Sequence, residues 1–386
     1  MSSNLKVALI AAEESGDRLG AALMHALNER TGGGVQFAGV GAQAMAAAGI
    51  RSPFPIDDLA IVGPAAVPRI ALTIWRRIRQ TAQMIIDQQP DVLVIIDSPD
   101  FTHRVARRVR ARSPAIPIVN YVSPSVWAWR PWRARSMRRY IDHVLALLPF
   151  EPDVHRRLGG PPCTYVGHPL IESIDRLRPS AQEAQRRLAD PPLVLALPGS
   201  RRTEIRRLLA IFGGTAARLQ AHVGRIEIVL PTLPHLQEEV EQATAAWPLA
   251  PRTICTEAEK LAAFRTARAA LAKSGTTTLE LALAGVPTVA AYKVSAAEAW
   301  IARRLIRVPS VILANLVLDE PVVPEFLQEE CTVERLTSAL LPLIGNTPQR
   351  LRQLTAFARL DASMEIGAVV PSRRAADIVL KLAARA

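Results

Sequence analysis

Asp97 and Asp100 close the apolar run Val92–Ile96, in the stretch Asp97-Ser98-Pro99-Asp100-Phe101. A carboxylate at the end of a buried strand is well placed to take a proton from a substrate hydroxyl. Asp97 precedes the turn and is the candidate base, whereas Asp100 is expected to cap the helix that Pro99 opens. The first apolar run ends in Ala11-Ala12-Glu13-Glu14-Ser15-Gly16-Asp17. Glu13 and Ser15 are candidates to reach a ligand there, and Ser15 or Asp17 would serve equally as a helix cap.

Two later loops suit phosphate. In Leu197-Pro198-Gly199-Ser200-Arg201, Gly199 admits close backbone approach. Ser200 and the start of the next helix offer donors to an anion, and Arg201 adds a fork that fits phosphate oxygens. This is not the Walker pattern. Lys273-Ser274-Gly275-Thr276-Thr277-Thr278-Leu279-Glu280 is the second. Ser274, Gly275 and Thr276 open a helix, and Glu280, one turn inside it, would accept both hydroxyls of a ribose while a diphosphate rests on the helix start. Helix capping explains either loop singly. Two of them, with a carboxylate supplied from the first half of the chain, form a coherent site.

Tyr121-Val122-Ser123-Pro124-Ser125-Val126-Trp127-Ala128-Trp129-Arg130 follows another strand. Trp127, Trp129 and Arg130 suit an amphiphilic, phosphorylated ligand; the same pattern would stack nucleic-acid bases, and core packing accounts for one Trp. Gly39-Val40-Gly41, with Asp57 and Asp58 beyond it, matches a loose dinucleotide fingerprint. That fingerprint belongs on the first strand–helix turn, so tight turns explain these glycines and no nicotinamide cofactor is expected.

These loops need strands to hold them. Short β-rich runs at Lys6–Ala11, Val35–Val40, Val92–Ile96, Pro117–Val122, His143–Leu147 and Thr164–Val166 alternate with helical stretches such as Gly16–Glu29, Ile70–Gln88 and Phe101–Arg112. Strand, helix, strand reads as a parallel sheet wound with helices. After a polar Arg/Ala/Pro-rich stretch the pattern restarts with strands Leu193–Leu197, Glu227–Leu230, Ala269–Ala272 and Thr288–Ala291. The reading is α/β, with two Rossmann-like doubly wound domains facing a cleft. Residues 1–172 form the first domain, 173–360 the second, which bears both phosphate-suited loops, and 361–386 a helix returning to the first domain of the same chain or of a partner. The helices Val333–Ile344, Thr347–Ser363 and Ser372–Ala384 are expected to follow the last strand.

Composition narrows the partners. Lys and Arg outnumber Asp and Glu by 47 to 35, a formal charge of +12, which favours phosphorylated substrates, an acidic membrane surface or nucleic acid. Cys163, Cys255 and Cys331 lack CxxC spacing, which argues against a disulfide framework or a zinc site. No apolar run approaches the roughly 18 residues that span a bilayer, and the Met1–Asn4 lead carries no signal-peptide pattern. Ile70–Ile86, with Trp75 and Arg76-Arg77-Ile78-Arg79, reads as an amphipathic interfacial helix or as an ordinary helix with a solvated basic face.

Taken in order, AAEESGD, IDSPDF, YVSPSVWAWR, VGHPL, LPGSR, KSGTTTLELAL and NLVLDEPVVPEFLQEEC resemble the lipid-A-disaccharide synthase family over residues 6–344. The resemblance implies a metal-free, cofactor-free, inverting GT-B glycosyltransferase. It would join UDP-2,3-diacylglucosamine to 2,3-diacylglucosamine 1-phosphate (lipid X), giving a β-1,6-linked disaccharide 1-phosphate and UDP. It also implies a cytoplasmic protein, peripheral on the anionic inner face of the inner membrane, with no nucleic-acid partner; a homodimer is left open. Asp97 matches the family's base, Arg201 its essential arginine, Glu280 its ribose carboxylate and Asn315 a functional asparagine. Ala12 stands where the family usually has Gly, and Leu318-Asp319-Glu320-Pro321 where better-known members have Ala-Gly-Arg-Glu. The rival readings are a nucleotide-sugar epimerase or hydrolase of similar fold, and a basic nucleic-acid-binding protein.

Overall fold

The computed structural model describes residues 5–59, 67–305, 308–368 and 370–384; the Met1–Asn4 lead lies outside them. The chain divides into two α/β units, Met1–Glu172 with Gly367–Ala386, and Ser173–Ile366. Every strand pairing in both is parallel.

In the first unit the strands are β1 (Leu5–Ala11), β2 (Val35–Val40), β3 (Val92–Ile96), β4 (Ile118–Tyr121), β5 (His143–Ala146) and β6 (Cys163–Tyr165), in the order β2-β1-β3-β4-β5-β6. The helices are α1 (Glu14–Thr31), α2 (Gln43–Ala47), α3 (Val67–Gln88), α4 (Pro99–Arg112), α5 (Trp132–Met137) and α6 (Glu151–Arg157). Strand alternation divides β1 between two cores. Val7, Leu9 and Ala11 pack with α1 and with Ala375, Ala376 and Val379 of the Pro371–Ala383 helix, while Ala8 and Ile10 pack with α3 and α4. Each fully buried Val, Leu or Ile contributes roughly 1.5–3 kcal/mol, so the small apolar face of the Pro371–Ala383 helix docks it on α1. The rim pairs Arg30–Asp377 and Arg373–Glu29 are half-exposed and add little.

VGHPL finds its use in this docking. Gly167, at φ 102°, lies where a Cβ would meet Pro371 at 2.7 Å, and the Ser372 N–H donates to Glu172. Buried His168 accepts from the Leu170 N–H, and burial lowers its pKa to about 4, which keeps it a neutral acceptor.

In the second unit the strands are β7 (Leu193–Leu197), β8 (Glu227–Pro231), β9 (Arg252–Ile254), β10 (Ala269–Lys273), β11 (Thr288–Tyr292) and β12 (Glu325–Leu327), ordered β12-β11-β10-β7-β8-β9. β9 was not expected, and β12 corrects the expectation that no strand follows β11. Both are three-residue edge strands that begin with a charged residue and follow a proline, too short to show a period of two. Three buried guanidiniums, on Arg187, Arg268 and Arg350, bond main-chain carbonyls including Phe264 O, Ala284 O and Ile344 O. Cations at helix C-termini are favourable, and burial lowers Arg187 and Arg350 to about 10.

Two capping expectations are corrected. Neither Ser15 nor Asp17 caps α1, whose N-cap position is Glu13 with no side-chain cap. Buried Asp17 instead accepts from the N–H groups of Ala42, Ala44 and Met45. The Gly39–Gly41 turn thus has its exposed amides filled by the protein's own carboxylate, where a dinucleotide would need them free. Asp100 does not cap α4; the N-cap is Ser98, and exposed Asp100 sits 3.4 Å from Arg133.

Candidate active site

In the first unit the sheet order reverses direction at β1, so the loops after β1 and β3 emerge side by side. Ligands bind at such a switch point in open α/β sheets. Here Ser98 Oγ donates to Glu13 Oε1 at 2.7 Å, bridging the two loops. Asp97 follows β3, its N–H bonded to Tyr121 O and its Oδ1 accepting from the Ser98 N–H. Asp97 and Ser98 are both left-handed, at φ 49° and 43°. Such conformations cost about 1–3 kcal/mol each and cluster at functional sites. Burial raises the Asp97 pKa, the Ser98 N–H opposes it and the Glu13 charge adds to the rise. A carboxylate pushed upward in this way is a stronger base than an ordinary one. Ser15 is exposed on the first turn of α1.

The aromatic loop follows β4 and abuts this edge through the Asp97–Tyr121 backbone bond. It divides into two faces. Trp127 is packed inward, its indole donating to Glu151 and its ring edge-on to Phe150 at 5.6 Å. Trp129 is 37% exposed, with the Arg130 guanidinium 4.2 Å and that of Arg133 5.6 Å from its ring centroid. Trp129 and Arg130 therefore present a flat aromatic surface backed by positive charge.

The second unit has a cavity of about 280 Å³ at the carboxyl ends of β7, β8, β9 and β10, lined by Gly199, Ser200, Lys273, Gly275 and Thr276 among others. Two helices start there, Arg202–Val223 and Thr276–Leu283, and neither N-terminus carries a side-chain cap. A third helix start at the cavity is closed by the Thr256 capping box, and Ser180, Thr332 and Thr347 cap helices outside the lining. The two uncapped starts leave main-chain donors free beside Ser200, Gly275 and Thr276 of the lining, an arrangement that receives an anion.

The charges around this cavity are ordered. Arg201 is 79% exposed, 3.6 Å from Glu204, and Lys273 Nζ lies 3.1 Å from the same carboxylate. Glu204 is buried behind Gly199, whose φ is 116° and where a Cβ would overlap that carboxylate. Ser274 Oγ is buried and unpartnered. Glu280 Oε2 sits 2.7 Å from Lys260 Nζ, a charge contact poorly directed for a hydrogen bond.

Asn315 lies outside the cavity lining. Its amide bonds Ser310 Oγ and both the N–H and C=O of Val323, so it shapes the Asn315–Val323 turn. In the same turn Asp319 adopts the left-handed C-cap conformation that glycine usually fills, and Glu320 makes a forked pair with Arg359. Ser98, Lys273, Glu204 and Glu151 were given no role of their own in the sequence reading. For Glu151 the signal existed: like Asp97, it is a carboxylate shortly after an apolar strand. Among the described residues no three His, Cys, Asp or Glu side chains group to hold a metal ion.

Comparison with known proteins fits this geometry. The lipid-A-disaccharide synthetase family model matches residues 7–378. The lipid-A-disaccharide synthase of Nitrobacter hamburgensis is 63% identical over 379 residues, covering 98% of this chain and 96% of its own. In fold, the chain is similar to the UDP-GlcNAc 2-epimerase of Neisseria meningitidis bound to UDP-GlcNAc (TM-score 0.64, 13% identity, 98% and 100% coverage). It is likewise similar to Acinetobacter baumannii MurG (TM-score 0.57, 15% identity, 98% and 99% coverage). Those likenesses show the two-domain GT-B α/β fold. With nearly the whole length matched by family model and relatives alike, this chain belongs to the lipid-A-disaccharide synthase family and is a glycosyltransferase that forms the lipid A disaccharide.

Proposed function

We propose that the chain transfers 2,3-diacylglucosamine from its UDP derivative to the 6-hydroxyl of 2,3-diacylglucosamine 1-phosphate, with inversion at the anomeric carbon. Asp97 takes the hydroxyl proton as the acceptor oxygen attacks C1, the bond from C1 to the diphosphate breaks, and UDP leaves. A positioned base of this kind accounts for roughly 10²–10⁴ in rate. The raised pKa of Asp97 supports the role, and Ser98 and Glu13 hold its loop.

The leaving diphosphate is received by the second unit's cavity. The observation that carries this reading is the pair of uncapped helix N-termini there, flanked by Arg201 and Lys273. Donors fixed in advance at developing charge supply a large share of catalysis. Glu280 exchanges its contact with Lys260 for the ribose hydroxyls. Trp129 and Arg130 receive the acceptor's sugar and phosphate. The exposed Leu72 and Trp75 of α3, with the Arg79 guanidinium 4.6 Å from the Trp75 ring centroid, support docking on an anionic membrane surface. No helix among the described residues is long and apolar enough to cross a membrane.

The test is UDP release by purified protein at saturating UDP-2,3-diacylglucosamine, with and without the acceptor and with EDTA present. Acceptor-dependent release that disappears in Asp97→Ala is expected. Release without acceptor would mean an epimerase-like or hydrolytic site, and release that stops with EDTA would refute metal independence.

A further inference from the structure

The loop between β4 and α5 is strained at both ends. Val122 has φ 75° and Arg130 φ 53°. A left-handed β-branched residue is a genuine outlier, and such strain persists only where surrounding contacts over-determine it.

Two sets of contacts do so here. The first is a chain of donors, from Arg107 to the Tyr140 hydroxyl, from Tyr140 to His103, from His103 to Asn120, and from the Asn120 amide to the carbonyl of Val122 at 3.0 Å. The direction follows from Asn120, whose carbonyl oxygen must accept. Burial holds His103 neutral, its pKa lowered to about 4.

The second set comes from α6. His155 and Glu151 lie four residues apart on one helix face, and Ser123 and Trp127 lie four apart on the loop. His155 Nε2 meets Ser123 Oγ at 2.9 Å, and Glu151 Oε1 accepts from the Trp127 indole at 3.3 Å. Ser123 has acceptors for its own proton in Pro124 O and the Glu151 carboxylate, so His155 is the donor in their contact. Its other nitrogen is buried and unpartnered, as an acceptor without a proton can be. Glu151 Oε2 also accepts the N–H groups of Leu147 and Leu148, fixing the loop after β5. Burial raises Glu151 to about 7, and its donors oppose the rise. A carboxylate and an imidazole, both under 5% exposed, are thus spent on one surface loop.

We propose that Glu151 and His155 are positioning residues. From successive turns of α6 they clamp the strained loop so that Trp129 and Arg130 form the rigid platform that binds the acceptor. This rests on the reading that the acceptor, not the nucleotide, uses that platform. The loop touches the Asp97 edge at Tyr121 and again through Arg133 beside Asp100, so its shape sets where an acceptor hydroxyl stands.

Glu151→Gln tests the clamp sharply. The amide oxygen still serves Leu147 and Leu148, but the amide nitrogen then confronts the Trp127 N–H, donor against donor. The expected result is an acceptor KM raised about tenfold or more, with UDP affinity and the KM of the donor sugar nucleotide within twofold of wild type. Trp127→Phe should do the same, and the double variant should be no worse than either single one. Ser123→Ala, which removes the other rung, should raise acceptor KM independently; it keeps the idea testable should Glu151→Gln fail to fold. Hydrogen exchange should quicken in the amides of residues 122–133 and not elsewhere. An unchanged acceptor KM in folded Glu151→Gln and Ser123→Ala, or fully additive losses in the Glu151–Trp127 pair, would overturn the proposal. Quickened exchange with equal loss of acceptor and UDP binding would overturn it too. If wild type shows no acceptor-dependent UDP release, the functional reading fails instead, and the exchange data alone decide whether the clamp exists.

Discussion

Replacing Lys273 by methionine removes one of the two cations paired with Glu204 beside the cavity while leaving Glu204 buried behind Gly199. Arg201, Lys273 and Glu204 together carry two positive charges and one negative, a net +1, and the variant takes this to zero. A unit-charge pair at about 4 Å is worth roughly 4 kcal/mol at an effective dielectric of 20. Lys273 is 20% exposed at its side chain and already shares its field with Glu204. Half that value, about 2 kcal/mol, is the appropriate expectation, a roughly 30-fold weaker Kd for UDP. Calorimetric titration with UDP and with uridine separates charge from shape, because uridine presents no phosphate. Uridine affinity should stay within twofold. Glu204→Gln should tighten UDP binding severalfold, and the double variant should return close to wild type, since its net charge is again +1. Wild-type UDP affinity in Lys273→Met, or equal losses for UDP and uridine, would refute the electrostatic account.

Two other perturbations bear on one unit each. Arg201→Ala should abolish transfer while the thermal midpoint holds, because the side chain is 79% exposed, its pair with Glu204 is long at 3.6 Å, and Lys273 at 3.1 Å still partners that carboxylate; near-wild-type turnover would remove it from the site. Glu13→Gln should move the acidic limb of the kcat/KM profile for the acceptor to lower pH. Asp97 must be ionised to act, so activity is lost as pH falls through its pKa; burial is the main cause of that raised value and the Glu13 charge adds to it. A limb that stays put in this variant would show that Glu13 does not reach Asp97 electrostatically.

The parallel sheets were legible because their strands are continuous apolar runs. β3 and β7 have the ends read from the sequence, since a strand buried on both faces stops where its apolar run stops. β9 and β12 were not legible for the opposite reason: an edge strand of three residues buries too little to leave a pattern. The phosphate loops could be read because glycine, hydroxyl and cation are consecutive there. Glu204 could not be assigned a task, because only the fold brings it under Gly199 and against Lys273, 69 residues further on.

Asp17 shows where residue type misleads, and Asn315 shows how a polar side chain at a loop is occupied by the fold. A short polar side chain at a loop serves a backbone amide and a ligand equally well, and sequence spacing does not say which one arrives. In this chain Asp17 met the amides after β2 and Asn315 met Val323. Asp97 differs because its own backbone is left-handed and its carboxylate has a single intramolecular donor at Oδ1, the adjacent Ser98 N–H. A strained, half-buried carboxylate with spare acceptor capacity is a costly thing to keep for structure alone. That surplus, invisible in the string IDSPDF, is what the proposed base needs and a helix cap does not.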